Sequence, residues 1–205
     1  MRGVIDQNTL AAAIAPLPIV SRGTERLHIY SDLLIKAQKA INLTASGEDI
    51  WERHILDSAQ LLPLLPSLDI RLADMGSGGG FPGLVLSLLG VREMHLIERD
   101  RRKAAFLREA VRVTNAAAVI HACDVADVVI DVCDVITARA LAPLETLLSL
   151  AHPLMKKDAI CLFPKGENYP IEYEAAKKSW QFHAEHFVSK TGSGAVLRIS
   201  EVRPF

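Results

Sequence analysis

The stretch that most constrains the fold is Ile70-Arg71-Leu72-Ala73-Asp74-Met75-Gly76-Ser77-Gly78-Gly79-Gly80-Phe81-Pro82-Gly83. An apolar run ends in an acid, a glycine-dense turn follows, and an apolar helical pattern begins. A strand, a tight turn and a helix start in this order form the opening unit of a parallel sheet, and the helix N-terminus can hold a nucleotide-like ligand. The dinucleotide-binding spacing needs a glycine at position 81, where Phe81 stands. The spacing present is acidic-x-Gly-x-Gly-x-Gly, from Asp74 through Gly76, Gly78 and Gly80. A purely structural strand-to-helix turn would carry similar glycines, so the loop alone does not decide the ligand.

The rest of the chain sets the architecture. From residue 70, strand-like runs at 70–75, 93–97, 118–122, 132–138 and 159–163 alternate with helix-like runs at 81–89, 101–114, 143–151 and 171–180. Such alternation predicts parallel strands with helices on both faces. Runs 182–189 and 195–202 are joined only by Lys190-Thr191-Gly192-Ser193-Gly194, so they pair as an antiparallel hairpin. The expected fold is α/β: a doubly wound, mostly parallel, seven-stranded, Rossmann-like sheet.

The first 65 residues carry no strand signal. They read as a helix over 9–15 stopped by Pro16 and Pro18, and an amphipathic helix over 24–41 with Leu27, Tyr30, Leu34, Ala37 and Ile41 on one face. A third helix over 48–62 opens from Ser46-Gly47-Glu48-Asp49 and ends before Pro63. The organisation is therefore a helical extension at 1–65 and a ligand-binding domain at 66–205.

Composition narrows the setting. At 205 residues the chain can bury a sizeable core, and no apolar run reaches the roughly 20 residues of a membrane span. There is no secretion-signal pattern, which points to the cytoplasm. Cys123, Cys133 and Cys161 sit apart among apolar neighbours and read as free thiols. Neither they nor the seven histidines show metal-ligand spacing, so no metal is expected. The net charge of −1 gives no global support for a nucleic-acid partner, which must be sought in local clusters. Nothing in the chain calls for an obligate oligomer, and a monomer is expected.

The glycine spacing resembles the first motif of S-adenosylmethionine (SAM) dependent methyltransferases. Five parallel strands closed by a hairpin match the class I sheet of those enzymes. Glu98, at the end of the second strand and 22 residues after Gly76, is in register for an acid binding ribose hydroxyls, the alternative being a solvent-exposed acid at a strand end. Asp124 follows the third strand; it either accepts from the adenine amine, with Val125 and Ala126 offering backbone groups, or caps a helix. Other chemistries fit poorly. No cysteine has the setting of a base-methylating nucleophile, the segment Ile136–Leu141 lacks an Asn/Asp-Pro-Pro-aromatic motif, and no hydrolase elbow, Walker loop or His-Glu-x-x-His appears.

Further motifs carry a more specific resemblance. Asn42-Leu43-Thr44, Arg53-His54-Ile55-Leu56-Asp57-Ser58, the loop from Asp74 to Gly83, Lys103-Ala104-Ala105-Phe106-Leu107, Thr137-Ala138-Arg139-Ala140 and Lys165-Gly166 occur in order. Together they resemble the bacterial 16S ribosomal RNA guanine-N7 methyltransferases, also known as glucose-inhibited division protein B. The resemblance implies SAM as methyl donor, 16S RNA or the small ribosomal subunit as partner, and SAM contacts from Gly76, Phe81, Val125, Ala126 and Arg139. It also places Arg139 near methyl transfer. With the loop geometry, the expected SAM residues are Gly76, Ser77, Gly78, Gly80, Phe81, Glu98, Asp124, Val125, Ala126 and Arg139. Two departures stand out: Ala126 occupies a position that is commonly acidic, and Ser193-Gly194-Ala195 stands where a basic Arg-His pair is usual, with Arg198 further on.

For RNA, the expected contacts are Arg53, His54, Arg101, Lys103 and Lys165. The segment from Arg99 to Arg112 holds six cations against two acids, a net charge of +4, and reads either as an RNA-facing surface or as a solvated helix face. Arg53 and Asp57, four apart on a helix, can pair, which would fix the helical part to the rest of the chain. His54 is either an RNA contact or a packed core residue, and Lys165 either touches phosphate or is solvated. Other functions consistent with the residues are SAM-dependent methylation of a small molecule or protein, and non-catalytic nucleotide binding.

Overall fold

The computed structural model describes residues 10, 21–45 and 49–205. Apart from residue 10, the expected helix at 9–15 lies outside them, as does the Ser46-Gly47-Glu48 part of the cap. After helix α1 (Ser21–Ala37), α2 is a π-wound turn over Trp51–Leu56 that runs into an α-turn over Asp57–Ala59. The alternating part then follows: β1 (Arg71–Met75), α3 (Gly83–Leu88), β2 (Glu93–Ile97), α4 (Arg101–Thr114), β3 (Ala118–His121), β4 (Cys133–Ala138), α5 (Leu144–Ala151), β5 (Met155–Lys165), α6 (Tyr169–Ala176), β6 (Trp180–Val188) and β7 (Ala195–Pro204).

All seven strands form one sheet in the order β3-β2-β1-β4-β5-β7-β6. Strands β1 to β5 pair in parallel, and β7 runs antiparallel to both β5 and β6. The strand order reverses between β1 and β4, which opens a crevice at the carboxyl ends of the strands.

Alternation along each strand divides the interior into two cores. On one face Leu72, Leu96, Val135 and Leu162 meet Leu84 and Leu88 of α3 and Phe106 and Leu107 of α4; Leu27, Tyr30 and Leu34 of α1 and Trp51 and Ile55 of α2 join the same cluster. On the other face Ala73, Met75, Ile136 and Phe163 meet Leu144, Leu147 and Leu148 of α5. The N-terminal helices thus bury their apolar sides in the core of the sheet domain.

Sequence periodicity located most elements within a few residues, and the differences have local causes. Helix α1 stops at Ala37, not 41, because the Gln38 amide takes over. Its Nε2 donates to Thr44 O at 2.5 Å, and its Oε1 accepts from Leu43 N and Thr44 N, both at 3.0 Å. Asn42-Leu43-Thr44 is therefore wrapped around one side chain. The expected 48–62 helix is broken up: after α2, a 3-10 turn over Leu62–Leu64 accommodates Pro63. Strand β5 begins at Met155 rather than 159, its polar Lys156-Lys157-Asp158 masking the pattern, and Trp180 opens β6 instead of ending a helix.

The glycine loop is tied down from beneath. Buried Asp74 accepts from Thr137 Oγ1 of β4 at 2.8 Å and from Gly83 N at 3.2 Å. One carboxylate thus joins two strands and the start of α3. Gly83 has no room for a side chain: a Cβ would stand 2.6 Å from both Asp74 Cβ and Leu96 Cδ2. No helix among the described residues is long and apolar enough to cross a membrane.

Two outcomes follow for stability. Gly83→Ala should lose about 1–3 kcal/mol in urea unfolding, because backbone-packed neighbours must shift. Burial raises the Asp74 carboxyl from an ordinary 3.8 to about 6. The folded state then holds a proton that the unfolded chain has released, so this contribution is fully present below about pH 4 and is lost as pH rises through 6. The change amounts to roughly 3 kcal/mol. Asp74→Asn keeps an acceptor for Gly83 and should flatten that part of a stability–pH curve measured between pH 4 and 7.

Candidate active site

Two cavities meet at the carboxyl ends of the strands. The first, about 430 Å³, is lined by Gly76 and Gly78 of the loop, Glu98 and Arg99 after β2, Lys103 of α4, and Cys123, Asp124 and Val125 after β3. Its size suits a nucleoside-sized ligand. The second, about 730 Å³, is lined by Arg53, His54 and Asp57 of α2, Arg139, Pro164 to Gly166, Glu172 of α6 and the 189–194 hairpin loop. Ala140, Leu141 and Ala142 line both. Leu141 folds over Gly76, where a Cβ would stand 2.7 Å from its Cδ1; Gly76 has φ +68°, a conformation that glycine adopts freely. Ala140 holds φ +52°, a left-handed backbone that costs a non-glycine residue about 1 kcal/mol, at the partition between the cavities.

In the smaller cavity, Glu98 Oε2 accepts from Gly78 N at 2.8 Å and its Oε1 from Asp100 N at 2.8 Å. The acid in register with the loop is therefore fixed against it. Asp124 does cap a turn, accepting from Ala126 N at 3.2 Å, and it also borders the cavity next to Arg99. The capping reading of Asp124 is thus met, at a position that also borders the cavity. Ala126 itself is exposed beside it.

Five expected SAM residues do not line the smaller cavity: Ser77, Gly80, Phe81, Ala126 and Arg139, the last of which lines the larger one. Ser77 is buried and braces the loop, its N donating to Ile97 O at 3.0 Å and its Oγ to Asp74 O at 3.0 Å. Gly80 lies under Tyr30, whose hydroxyl donates to the neighbouring Gly79 O at 2.5 Å. Phe81 is buried against Tyr30 and stacks on His54 with ring centres 4.9 Å apart. The loop alternates its direction, so only Gly76 and Gly78 line the smaller cavity. The cavity-lining glycines, Gly76 and Gly78, come first, and Gly79 and Gly80 follow against Tyr30.

Arg139 follows β4 and lines the larger cavity. Its guanidinium pairs with Asp57 Oδ2 at 3.0 Å, donates to Arg53 O at 3.1 Å and to His54 Nδ1 at 2.8 Å, and lies 5.1 Å from the Phe81 ring centre. This replaces the Arg53–Asp57 pair that the helical spacing allowed. Asp57 points inward, where its Oδ1 accepts from Gln60 Nε2 at 2.8 Å and Thr191 Oγ1 at 2.6 Å, and Arg53 sits at the exposed rim. Lys190 N donates to Gln60 Oε1 at 2.8 Å, so α2 fastens the hairpin loop as well.

Buried His54 belongs to this packed cluster. Lys165 is not solvated: its Nζ pairs with Glu172 Oε2 at 2.5 Å and donates to Ala142 O at 3.1 Å. Arg101 is exposed at the start of α4, and Lys103 borders the smaller cavity. In the larger segment Arg102 donates to Ala40 O and Arg112 pairs with Glu109. Where a basic pair is usual, Gly194 packs so closely that a Cβ would overlap the Lys165 carbonyl.

Sequence reasoning missed Leu141, Glu172, Gln60 and Thr191, which meet the site only through tertiary contact and carry no local motif. Cys133 and Cys161 are buried and Cys123 half-buried, with burial pushing all three thiols up, Cys133 to about 12. Among the described residues no group of three His, Cys, Asp or Glu side chains forms a metal site.

Strand order and cavity placement define the class I SAM-dependent methyltransferase fold. A solved ribosomal protein L11 methylase from Lactobacillus delbrueckii subsp. bulgaricus shares it at TM-score 0.58 and 18% identity, covering 72% of this chain and 78% of its own. A TehB-like SAM-dependent methyltransferase from Corynebacterium glutamicum shares it at TM-score 0.56 and 20% identity, covering 84% of this chain and 99% of its own. The profile of the GidB family, described as rRNA small subunit methyltransferase G, matches residues 23–197. Ribosomal RNA small subunit methyltransferase G of Rhodospirillum centenum is 52% identical over 189 residues, covering 90% of this chain and 88% of its own. The chain belongs to the rRNA small subunit methyltransferase G family.

The network predicts its own weak point. Asp57→Asn leaves the shape but removes the charge partner of Arg139, and should cost about 1–3 kcal/mol in urea unfolding. Proteolysis of the 189–194 loop should accelerate in the same variant.

Proposed function

We propose that this chain methylates N7 of a guanine in 16S ribosomal RNA of the small subunit, as a cytoplasmic monomer using SAM. The observation that carries the reading is the pair of cavities sharing the Ala140–Ala142 wall, one fit for a nucleoside and the other holding Arg139. The smaller cavity suits SAM. Side-chain-free Gly76 and Gly78 line one wall, and carboxylates at Glu98 and Asp124 offer acceptors for ribose hydroxyls and an exocyclic amine. Val125 and Ala126 would contribute backbone groups. Ser77, Gly80 and Phe81 support this site from behind by holding the loop.

SAM bound there supplies a methyl group on a sulfonium sulfur. Guanine N7 carries an in-plane lone pair and no proton, so the chain needs no general base. Its work is positioning: the base must lie in the larger cavity with N7 directed across the shared wall. Arg139 is the residue placed to do this. Its fork is held by Asp57, Arg53 O and His54, and arginine suits the O6 acceptor of guanine or an adjoining phosphate, leaving the N7 lone pair free to attack. Arg53, exposed at the rim, and Arg101 and Lys103 on α4 extend a basic surface on which RNA phosphates can rest, with a splayed-out base entering between them.

Calorimetry should show SAM binding with no heat from NAD or ATP. Labelled methyl should pass to small subunits from a strain lacking the enzyme, and borohydride–aniline cleavage should locate it at guanine N7. Arg139→Ala and Arg139→Lys should both fold and bind SAM, yet lose about 100-fold or more in methyl transfer, since lysine cannot form the fork. Label in protein or small molecules, or full activity of either variant, would refute the reading.

A further inference from the structure

The geometry points to the Lys165–Glu172 pair as the element that selects guanine over adenine, an inference that rests on the N7 reading above. Their hydrogen-bonding capacity is only partly used. Of three Lys165 Nζ donors, one goes to Glu172 Oε2 and one to Ala142 O. Glu172 Oε2 also accepts from Leu144 N at 2.9 Å, whereas its Oε1 takes part in no hydrogen bond among the described residues. Both residues line the larger cavity, and the Glu172 side chain is 30% exposed overall. The pair therefore offers the cavity one ammonium donor beside one carboxylate acceptor.

That order of polarity matches one purine. Guanine presents the O6 acceptor next to the N1–H donor. Adenine presents an amino donor next to the N1 acceptor, which would set donor against donor and acceptor against acceptor. Uracil has the polarity of guanine but no N7 to methylate. Position agrees with polarity. Lys165 Nζ is anchored on Ala142 O, in the wall shared with the smaller cavity. O6 neighbours N7 on the ring, so a base with O6 on Lys165 turns N7 towards that wall.

The pair also acts on the reaction itself. As the N7–CH3 bond forms, the S–CH3 bond breaks with its electron pair left on sulfur, no proton moves, and the positive charge passes to the base. N1–H then becomes a stronger donor, so its bond to Glu172 tightens along the reaction coordinate. An interaction that is stronger in the transition state than in the ground state raises kcat. Glu172 is thus a specificity and rate element, and Leu144 N and Ala142 O fix it and Lys165 in place.

The test combines one variant with base analogues at the mapped guanosine in reconstituted small subunits. Glu172→Gln keeps an acceptor for Lys165 and Leu144 but turns an amide N–H2 towards the cavity. It should lower kcat roughly 10- to 100-fold, leaving SAM affinity and RNA KM within about twofold. The wild-type protein should methylate inosine, which keeps O6 and N1–H, nearly as well as guanosine. It should methylate 2-aminopurine, which lacks both but retains N7, at least about tenfold more slowly. Glu172→Gln at wild-type kcat, or equal use of 2-aminopurine and guanosine, would overturn the assignment while the N7 reading stood. Methylation of 7-deazaguanosine would overturn both. A merely structural Glu172 would lower the melting temperature without changing the analogue preference.

Discussion

The guanidinium of Arg139 is the joint on which the substrate side of this molecule depends. It leaves the end of β4, yet every partner comes from elsewhere: Asp57, Arg53 O and His54 from α2, and the face of Phe81 from the glycine loop. Through the other oxygen of Asp57 the same cluster reaches Thr191 in the β6–β7 hairpin. An arginine cannot shed its charge, so burying it requires that most of its donors be satisfied at once. That requirement makes α2, the loop and the hairpin mutually dependent. The larger cavity takes walls from α2, from the segment after β4 and from the hairpin, and the Arg139–Asp57 pair ties these walls together. The α2 segment is therefore a wall of the larger cavity, and its π-wound turn and the α-turn after it carry His54 and Asp57 to one guanidinium.

How much of this was readable from the chain follows from where the information lies. The alternating part was legible because its two periods, two residues in strands and 3.6 in helices, are imposed by a sheet with a core on each face. Strand β2 and helix α4 came out residue for residue. The register of Glu98 with the glycine loop was also legible, since both lie at the carboxyl ends of adjacent parallel strands. The limits appear where tertiary contacts outrank local pattern. A helix with a sound apolar face ends early because Gln38 finds three backbone partners beyond it. Asp57 has an arginine four residues away and pairs with another 82 residues on. Glu172 lies in no motif and reaches the cavity only because α6 packs beside α5.

The glycine loop shows the same limit within a single motif. Its residues are contiguous, but a tight turn sends neighbours in opposite directions. Gly76 and Gly78 line the smaller cavity, whereas Ser77, Gly80 and Phe81 are buried in its support. Gly83 is needed for its contact with Asp74, not for any ligand. A motif thus mixes positions selected by the ligand with positions selected by packing.

On the proposed reading, the charge arrangement in the larger cavity explains how it would hold a base that becomes cationic. Three cations line it, Arg53, Arg139 and Lys165, with two carboxylates, Asp57 and Glu172. A bare cation beside guanine N7 would oppose methylation, since the product carries a positive charge in a space where solvent screens poorly. Here the two inner cations each have a carboxylate, at 3.0 Å for Arg139 and 2.5 Å for Lys165, and only Arg53 stands at the rim. Paired in this way, arginine and lysine keep the directional N–H groups that orient a base while their net field across the cavity is small. On that reading the carboxylates would offset the charge gained in the reaction. Orientation and charge tolerance would conflict in a site built from cations alone, and ion pairing reconciles them.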